Sequence, residues 1–107
     1  MRNKKITIDL NDERLVLNET VYSKFAGDME RLMWMLYDSG VNIPMNIIGK
    51  PSQVDSFMDA IKREKRYMDS YMQNGLNDHK TMNNKYDLES AIKRFELETG
   101  LKWPFKN

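Results

Sequence analysis

The stretch that decides the fold runs from Asn18 to Gly40, NETVYSKFAGDMERLMWMLYDSG. Its apolar side chains recur at helical spacing and share an arc of about 100°, the width of a stripe that faces a core. They are Tyr22, Phe25, Met29, Leu32, Met33 and Leu36. Asn18 or Thr20 is suited to cap the amino end, and Gly40 stands where a left-handed residue ends a helix. The stretch therefore predicts one amphipathic helix.

On both sides of this helix the apolar period falls to two, which is typical of a strand with one face in solvent. Upstream, residues 4–10 alternate, a turn cluster follows at 11–13, and 15–17 resume an extended apolar pattern. These two segments predict a β-hairpin. Downstream, residues 41–47 alternate again. Because Pro44 cannot donate a hydrogen bond to a neighbouring strand, we expect an edge strand there.

Helical spacing returns after the third predicted strand. A second helix is expected to begin near Ser52, which with Asp55 imitates a capping box, and to end at Gly75. Its apolar stripe contains Val54, Phe57, Met58, Ile61, Met68, Tyr71 and Met72. Lys65 interrupts that stripe. Either its aliphatic stem lies along the core, or the second half of the helix leaves the core.

The remaining residues predict a loop, a third helix and a tail. Residues 76–83 have the polar composition of a turn, and a third helix is expected from about Asn84 to Thr99, with Gly100 ending it. Its core face contains Leu88, Ala91, Ile92 and Phe95. Pro104 prevents the tail from continuing the helix.

The resulting order, β-β-α-β-α-α, predicts an α+β fold in a single domain spanning residues 1–107, since the chain shows no repeat or linker. The N-terminal hairpin plus one edge strand would form a small three-stranded sheet. Three helices would cover one face of that sheet, because each strand has one apolar side. If the second and third strands are neighbours, the first helix makes the crossover between them.

Composition excludes several classes of protein. The 107-residue chain has no Cys, so a disulfide framework, a thiolate nucleophile and a cysteine-bound metal are ruled out. Its 17 basic and 16 acidic residues give a net charge of +1, without the excess typical of nucleic-acid or membrane-surface binders. The basic start lacks the apolar run of a signal peptide. Because a secreted domain of this size would often need disulfides, a reducing cytoplasm is the expected location. Ten Asn and nine Met indicate an AT-rich genome, such as that of a phage or a low-GC bacterium.

Few residues have catalytic potential. The segment Gly49-Lys50-Pro51-Ser52 lies between a strand and a helix, but Pro44 and Pro51 occupy positions where a phosphate-binding loop needs Gly and Ser or Thr. We expect an ordinary turn there, with a weaker anion site at the helix N-terminus as the alternative. His79 is expected in an exposed loop with no catalytic partner. The sequence therefore predicts a protein that is not an enzyme and that has no metal and no cofactor.

Large apolar side chains outside the predicted stripes are more informative about function than the residues with catalytic potential. Trp34 lies well off the stripe of the first helix, and Leu97 lies off that of the third. Three explanations for Trp34 compete: cover by Trp103 and Phe105 of the tail, cover by a second copy or another protein, and simple exposure. The sequence favours a small binding or regulatory protein that acts through protein–protein contacts or self-association, such as a phage-encoded accessory or host-modulating protein. The candidate contact residues are Trp34, Met35, Tyr37, Leu97, Trp103 and Phe105.

The alternative is a nucleic-acid-binding protein that uses the basic face of the second helix. Its candidate residues are Lys62, Arg63 and Arg66 for phosphate contacts, with Tyr67 for base stacking. Acidic residues on the same face weaken this hypothesis, since Asp59 lies one helical turn before Arg63 and is expected to pair with it. An acidic protein partner would suit the same face.

Overall fold

The computed structural model describes residues 6–12, 14–39 and 45–105, which form a mixed structure of helices and strands that is largely helical. Its elements are β1 Ile6–Asp9, α1 Arg14–Leu17, α2 Glu19–Ser39, β2 Met45–Ile48, α3 Pro51–Asn74 and α4 His79–Thr99. The described order is therefore β-α-α-β-α-α, with the short α1 in place of the second predicted strand.

The described part of the chain contains one sheet, in which β1 and β2 run parallel. Ile6 lies opposite Met45, and Ile8 lies opposite Ile47. The two isoleucines of β1 are buried and the residues that alternate with them are exposed, as the period of two predicts. The predicted three-stranded sheet is therefore corrected to two strands. Residues 41–44 of the predicted edge strand lie outside the described residues.

The predicted hairpin is wrong because residues 14–17 form a helical turn. The Asp12 carboxylate accepts hydrogen bonds from the backbone N–H of Arg14 at 3.0 Å and from its guanidinium at 2.7 Å. The backbone N–H of Leu15 donates to the carbonyl oxygen of Asp12 at 3.0 Å. An Asp bonded to the backbone two residues later favours a turn over an extended chain. Parallel strands also need a long crossover, and α1 and α2 provide it here.

The amphipathic helix is confirmed as α2. Asn18 caps it, because its Oδ1 accepts from the N–H groups of Thr20 at 2.9 Å and Val21 at 3.1 Å. The predicted stripe is buried except for Tyr22, which is half-buried. This stripe joins the isoleucines of β1 in one apolar core.

The helices α3 and α4 pack chiefly against each other as a long hairpin. At the start of α3, the Gln53 side chain accepts from the N–H of Lys50 at 2.8 Å, so Gln53 makes the capping bond that we expected at Ser52. The end of α3 at Gly75 is as predicted, and a positive φ of 83° explains the glycine.

The last helix is longer than predicted. It begins at His79 instead of Asn84, because Asp78 caps it by accepting from the N–H of Lys80 at 2.9 Å. Most of the predicted loop 76–83 is therefore helix. Gly100, with φ at 75°, ends α4 as expected.

Beyond α4 the tail folds back and completes the core at the base of the hairpin. The ring centroid of Trp103 lies 5.1 Å from that of Phe95 and 6.3 Å from that of Phe57, both in edge-on arrangements. The Tyr22 hydroxyl donates to the carbonyl oxygen of Lys102 at 2.8 Å, which ties the tail to α2. The buried end of the hairpin is thus enclosed by α2 and the tail together.

Candidate functional site

Trp103 of the tail does not belong to the contact surface that the sequence predicts. Trp103 is only 3% exposed, and its indole N–H donates to Oε1 of Glu64 at 2.9 Å. Phe105 is half-buried, with its ring centroid 5.9 Å from that of Trp103. Trp103 is therefore corrected from a partner contact to a core residue, because Phe57 and Phe95 provide an apolar site that it fills. The described part of the tail, residues 101–105, leaves Trp34 exposed.

The other predicted contact residues differ in their surroundings. Trp34 is 71% exposed and Leu97 is 87% exposed, whereas Met35 is half-buried against the core. The side chain of Tyr37 lies outside the described part of the chain. Of the three explanations for Trp34, cover by the tail is excluded. Cover by a partner and simple exposure remain.

A larger apolar surface lies at the turn between α3 and α4. Five large side chains in the last turn of α3, the connection and the first two turns of α4 are 43% to 72% exposed. They are Tyr71, Met72, Leu76, Met82 and Tyr86, and we call them the tip patch. They lie at the same end of the hairpin, because the chain reverses direction between residues 74 and 79. Of the eight large apolar side chains that are exposed among the described residues, these five fall within residues 71–86.

Part of the tip patch lines a cleft of about 340 Å³. Leu76, Met82 and Tyr86 line it together with Tyr67 and Thr81, which are both buried. The Thr81 hydroxyl has no hydrogen-bond partner among the described residues. An unsatisfied buried polar group of this kind costs stability.

The tip patch is exposed because the core stops before it. On α3 the apolar core extends as far as Ile61, and on α4 it begins at Ala91. From Ile61 to Asn74, α3 continues for about 20 Å at 1.5 Å per residue. Along this length the helices bury side chains mainly between themselves, among them Tyr67. The apolar stripe predicts which face is apolar, but this face runs past the end of the core.

Lys65 marks this change of surroundings. Its Nζ binds Asp69 at 2.7 Å, and its side chain is 25% exposed. One turn beyond it, Met68 is half-buried, and Met72 is exposed. The sequence left two alternatives at Lys65: its stem lies along the core, or the second half of α3 leaves the core. The second half of α3 does leave the core, and the stem of Lys65 is still largely covered.

The basic face of α3 is partly neutralised. Arg63 forms ion pairs with Asp59 at 3.1 Å, as predicted, and with Asp87 of α4 at 3.4 Å. Lys62 and Arg66 are exposed. Tyr67 is only 7% exposed and lies inside the hairpin, so the prediction that it stacks on bases is wrong. The face retains two solvent-facing cations and lacks the aromatic platform that single-stranded nucleic acids bind.

Glu64 is a buried carboxyl group between the hairpin and the tail. Burial raises the pKa of Glu64, and the hydrogen bond from the Trp103 indole, which favours the charged form, offsets part of this rise. At 3% exposure the carboxyl is enclosed by the protein. We interpret Glu64 as an anchor for the tail rather than a group that acts on a substrate.

The remaining residues with catalytic potential lie apart from one another. His79 is exposed as the first residue of α4, instead of lying in a loop as predicted. Gly49 lies in the turn between β2 and α3, where an added Cβ would be 3.0 Å from Oε1 of Gln53, so close packing accounts for the glycine. Among the described residues, no group of three His, Asp or Glu side chains could hold a metal ion. No helix within those residues is long and apolar enough to cross a membrane.

No protein family, curated protein or solved structure matches this chain. Its function is therefore argued from its surfaces. Sequence reasoning missed the tip patch because it placed Tyr71 and Met72 in the core. A signal was present in Leu76 and Met82, two large apolar residues within an otherwise polar segment.

Proposed function

We propose that this chain is a small binding protein, not an enzyme, which acts through protein–protein contacts, and that the tip patch is its principal contact surface. The observation that supports this is the clustering of five large exposed apolar side chains at the end of a hairpin that extends beyond the core. Large exposed apolar side chains that lie close together mark interaction sites in soluble proteins, and three of these five line one cleft. Four of the five are Tyr or Met, which adapt well to a partner.

Trp34 supports the same function from a different element. An exposed indole is a typical anchor in protein interfaces, because it has a large apolar area and loses little conformational entropy on binding. Trp34 lies on α2, whereas the tip patch lies on α3 and α4. Separate variants are therefore needed to test Trp34 and the tip patch.

The partner is a protein, either a second copy of this chain or a different one. The cytoplasm as its location, and a phage-encoded accessory or host-modulating role, stay predictions that rest on composition. The nucleic-acid alternative is less favoured, since Arg63 is paired with two carboxylates and Tyr67 is buried.

The test compares variants in which exposed apolar side chains are replaced by Ser. Met72→Ser combined with Tyr86→Ser removes two members of the tip patch, and Trp34→Ser removes the indole. Ile48→Ser is the matched control for the tip, since Ile48 is also an exposed apolar residue and lies on β2. Each protein is examined by sedimentation velocity over a wide concentration range. Cross-linked partners captured from the native cells are then quantified for each variant.

We expect the wild type and the Ile48 variant to form the same complex, homomeric or heteromeric, and the tip variant to lose it. The proposal fails if the wild type is monomeric and the tip variant captures the same proteins as the wild type. If the tip variant still forms the complex but Trp34→Ser does not, the interface lies on α2 and the tip patch is not the contact surface. Thermal unfolding confirms that each variant is folded.

A further inference from the structure

A second surface lies along the side of α3 and is lined by residues other than those of the tip patch. It is a solvent-open groove of about 450 Å³ between α3, the end of α2 and the start of β2. Leu36, Met45, Met58 and Ile61 provide its apolar lining. Leu36 and Ile61 are buried, whereas the two methionines are half-buried. The groove therefore offers two flexible thioether side chains, which can adjust to the shape of an occupant.

The rim of this groove is cationic. Lys62, Lys65 and Arg66 line it, with Asp69 as the acidic residue among the lining side chains. Asp69 binds Lys65 at 2.7 Å, so this pair is neutral overall. Within the described part of the chain, Lys62 and Arg66 form no ion pair with a carboxylate. The groove thus combines an apolar lining with two exposed positive charges that are available to an occupant.

The dimensions of the groove favour a helix as the occupant. Its lining on α3 extends from Met58 to Gln73, a length of about 22 Å at 1.5 Å per residue, or about four helical turns. An amphipathic helix that lies in such a groove buries its apolar face while its polar face stays at the rim. A cationic rim selects acidic residues on that polar face.

We propose that this groove binds an acidic amphipathic helix of a partner protein. Leu or similar side chains of the partner would contact Met45 and Met58, and its Glu or Asp side chains would contact Lys62 and Arg66. The inference depends on the proposed function only in that the occupant is a protein, because the groove and the tip patch share no residues. A nucleic acid is less favoured as occupant, since the lining is aliphatic and offers no ring for stacking.

The test uses a fluorescent synthetic peptide of about 16 residues with Leu on one helical face and Glu on the other. Binding is measured by anisotropy at low and high salt. A peptide with Lys in place of Glu and a single-stranded oligonucleotide serve as competing probes. The protein variants are Lys62→Glu combined with Arg66→Glu, the milder pair Lys62→Gln and Arg66→Gln, and Lys93→Glu as a matched control. Lys93 is exposed on α4 and does not line the groove.

We expect the acidic peptide to bind the wild type, and the double charge reversal to weaken binding about tenfold. The glutamine pair should have a smaller effect in the same direction, and Lys93→Glu should leave binding within about twofold. The Lys peptide should not bind. Circular dichroism checks that both double variants are helical.

The inference is overturned if the acidic peptide does not bind, if it binds the charge-reversed protein equally well, or if the oligonucleotide binds the groove instead. These failures differ from a failure of the proposed function. A tip variant changed only on α4, Met82→Ser with Tyr86→Ser, should bind the peptide like the wild type, because neither residue lines the groove. If the tip variant does not bind the peptide but the charge-reversed variant does, the peptide binds at the tip patch and not in the groove.

Discussion

The two ends of the α3–α4 hairpin contain similar residues in opposite surroundings. At the base, Phe57 and Phe95 are fully buried and pack against Trp103. At the tip, Tyr71 and Tyr86 are 45% and 60% exposed. The two ends differ in the elements that pack against them. The helix α2 and the tail enclose the base, whereas the described residues leave the tip uncovered. Helical periodicity therefore identifies an apolar face without telling how far along the helix its cover extends.

The largest expected effect on stability comes from comparing one aromatic residue at each end of the hairpin. Phe95→Ala should lower the free energy of unfolding by about 3–5 kcal/mol, since it leaves a cavity beside two other rings. Tyr86→Ala should change it by less than about 0.5 kcal/mol, because that ring is largely in solvent. Urea denaturation of both variants measures the contrast. Equal losses would mean that the tip is as well packed as the base.

A second prediction concerns the hydrogen bond that joins the tail to the base of the hairpin. Trp103→Phe keeps an aromatic ring but removes the N–H that donates to Glu64. We expect a loss of about 1–3 kcal/mol in the free energy of unfolding, because the buried carboxyl is left without this donor. Trp34→Phe is the matched control and should stay within about 0.5 kcal/mol, since Trp34 is exposed. If the two variants were equally stable, the indole–carboxyl bond would contribute little.

A third prediction concerns pH at the base. Because the folded-state pKa of Glu64 is raised, the folded protein binds a proton more tightly than the unfolded chain does. This contribution to stability is present below the ordinary value of 4.5 and is lost as the pH rises through the folded-state pKa. Glu64→Gln cannot ionise, so its stability relative to the wild type should improve as the pH rises from acid to neutral. Thermal unfolding of both proteins across this range measures the difference, and parallel pH profiles would contradict it.

The smallest effect is expected at the surface pair that links the two helices midway. Arg63 lies 3.4 Å from Asp87, with their side chains 33% and 54% exposed. Asp87→Asn should cost less than about 1 kcal/mol, and added salt should reduce that cost further. Denaturation at two ionic strengths tests this. A loss as large as that of Phe95→Ala would show that charge pairing, rather than apolar burial, holds the hairpin together.

The helices were the most predictable part of the fold. The stripe and the Asn18 cap of α2 and the glycine ends of α3 and α4 follow from local chemistry that acts within a few residues, whereas the predicted end of α2 at Gly40 lies outside the described residues. The strand predicted at 15–17 was wrong because Asp12 directs the backbone into a turn, which outweighs a three-residue apolar run. The start of α4 was missed because Asp78 was placed in a loop instead of at a cap.

The contact surfaces were only partly predictable. Exposure of Trp34 and Leu97 follows from helical geometry, since both lie off their apolar stripes. Burial of Trp103 depends on contacts between residues distant in sequence, such as Phe57 and Phe95, which periodicity does not reveal. The tip patch requires knowing where the core ends along α3, and that is set by the positions of the other elements.

The two tryptophans give this molecule a pair of optical reporters. Trp103 is enclosed at 3% exposure and Trp34 faces solvent at 71%. A water-soluble quencher such as iodide will reach the indole at 34 and leave the one at 103 bright, so their emission can be separated without labels. Unfolding can then be followed through the red shift of one indole, and any event on α2 through the other.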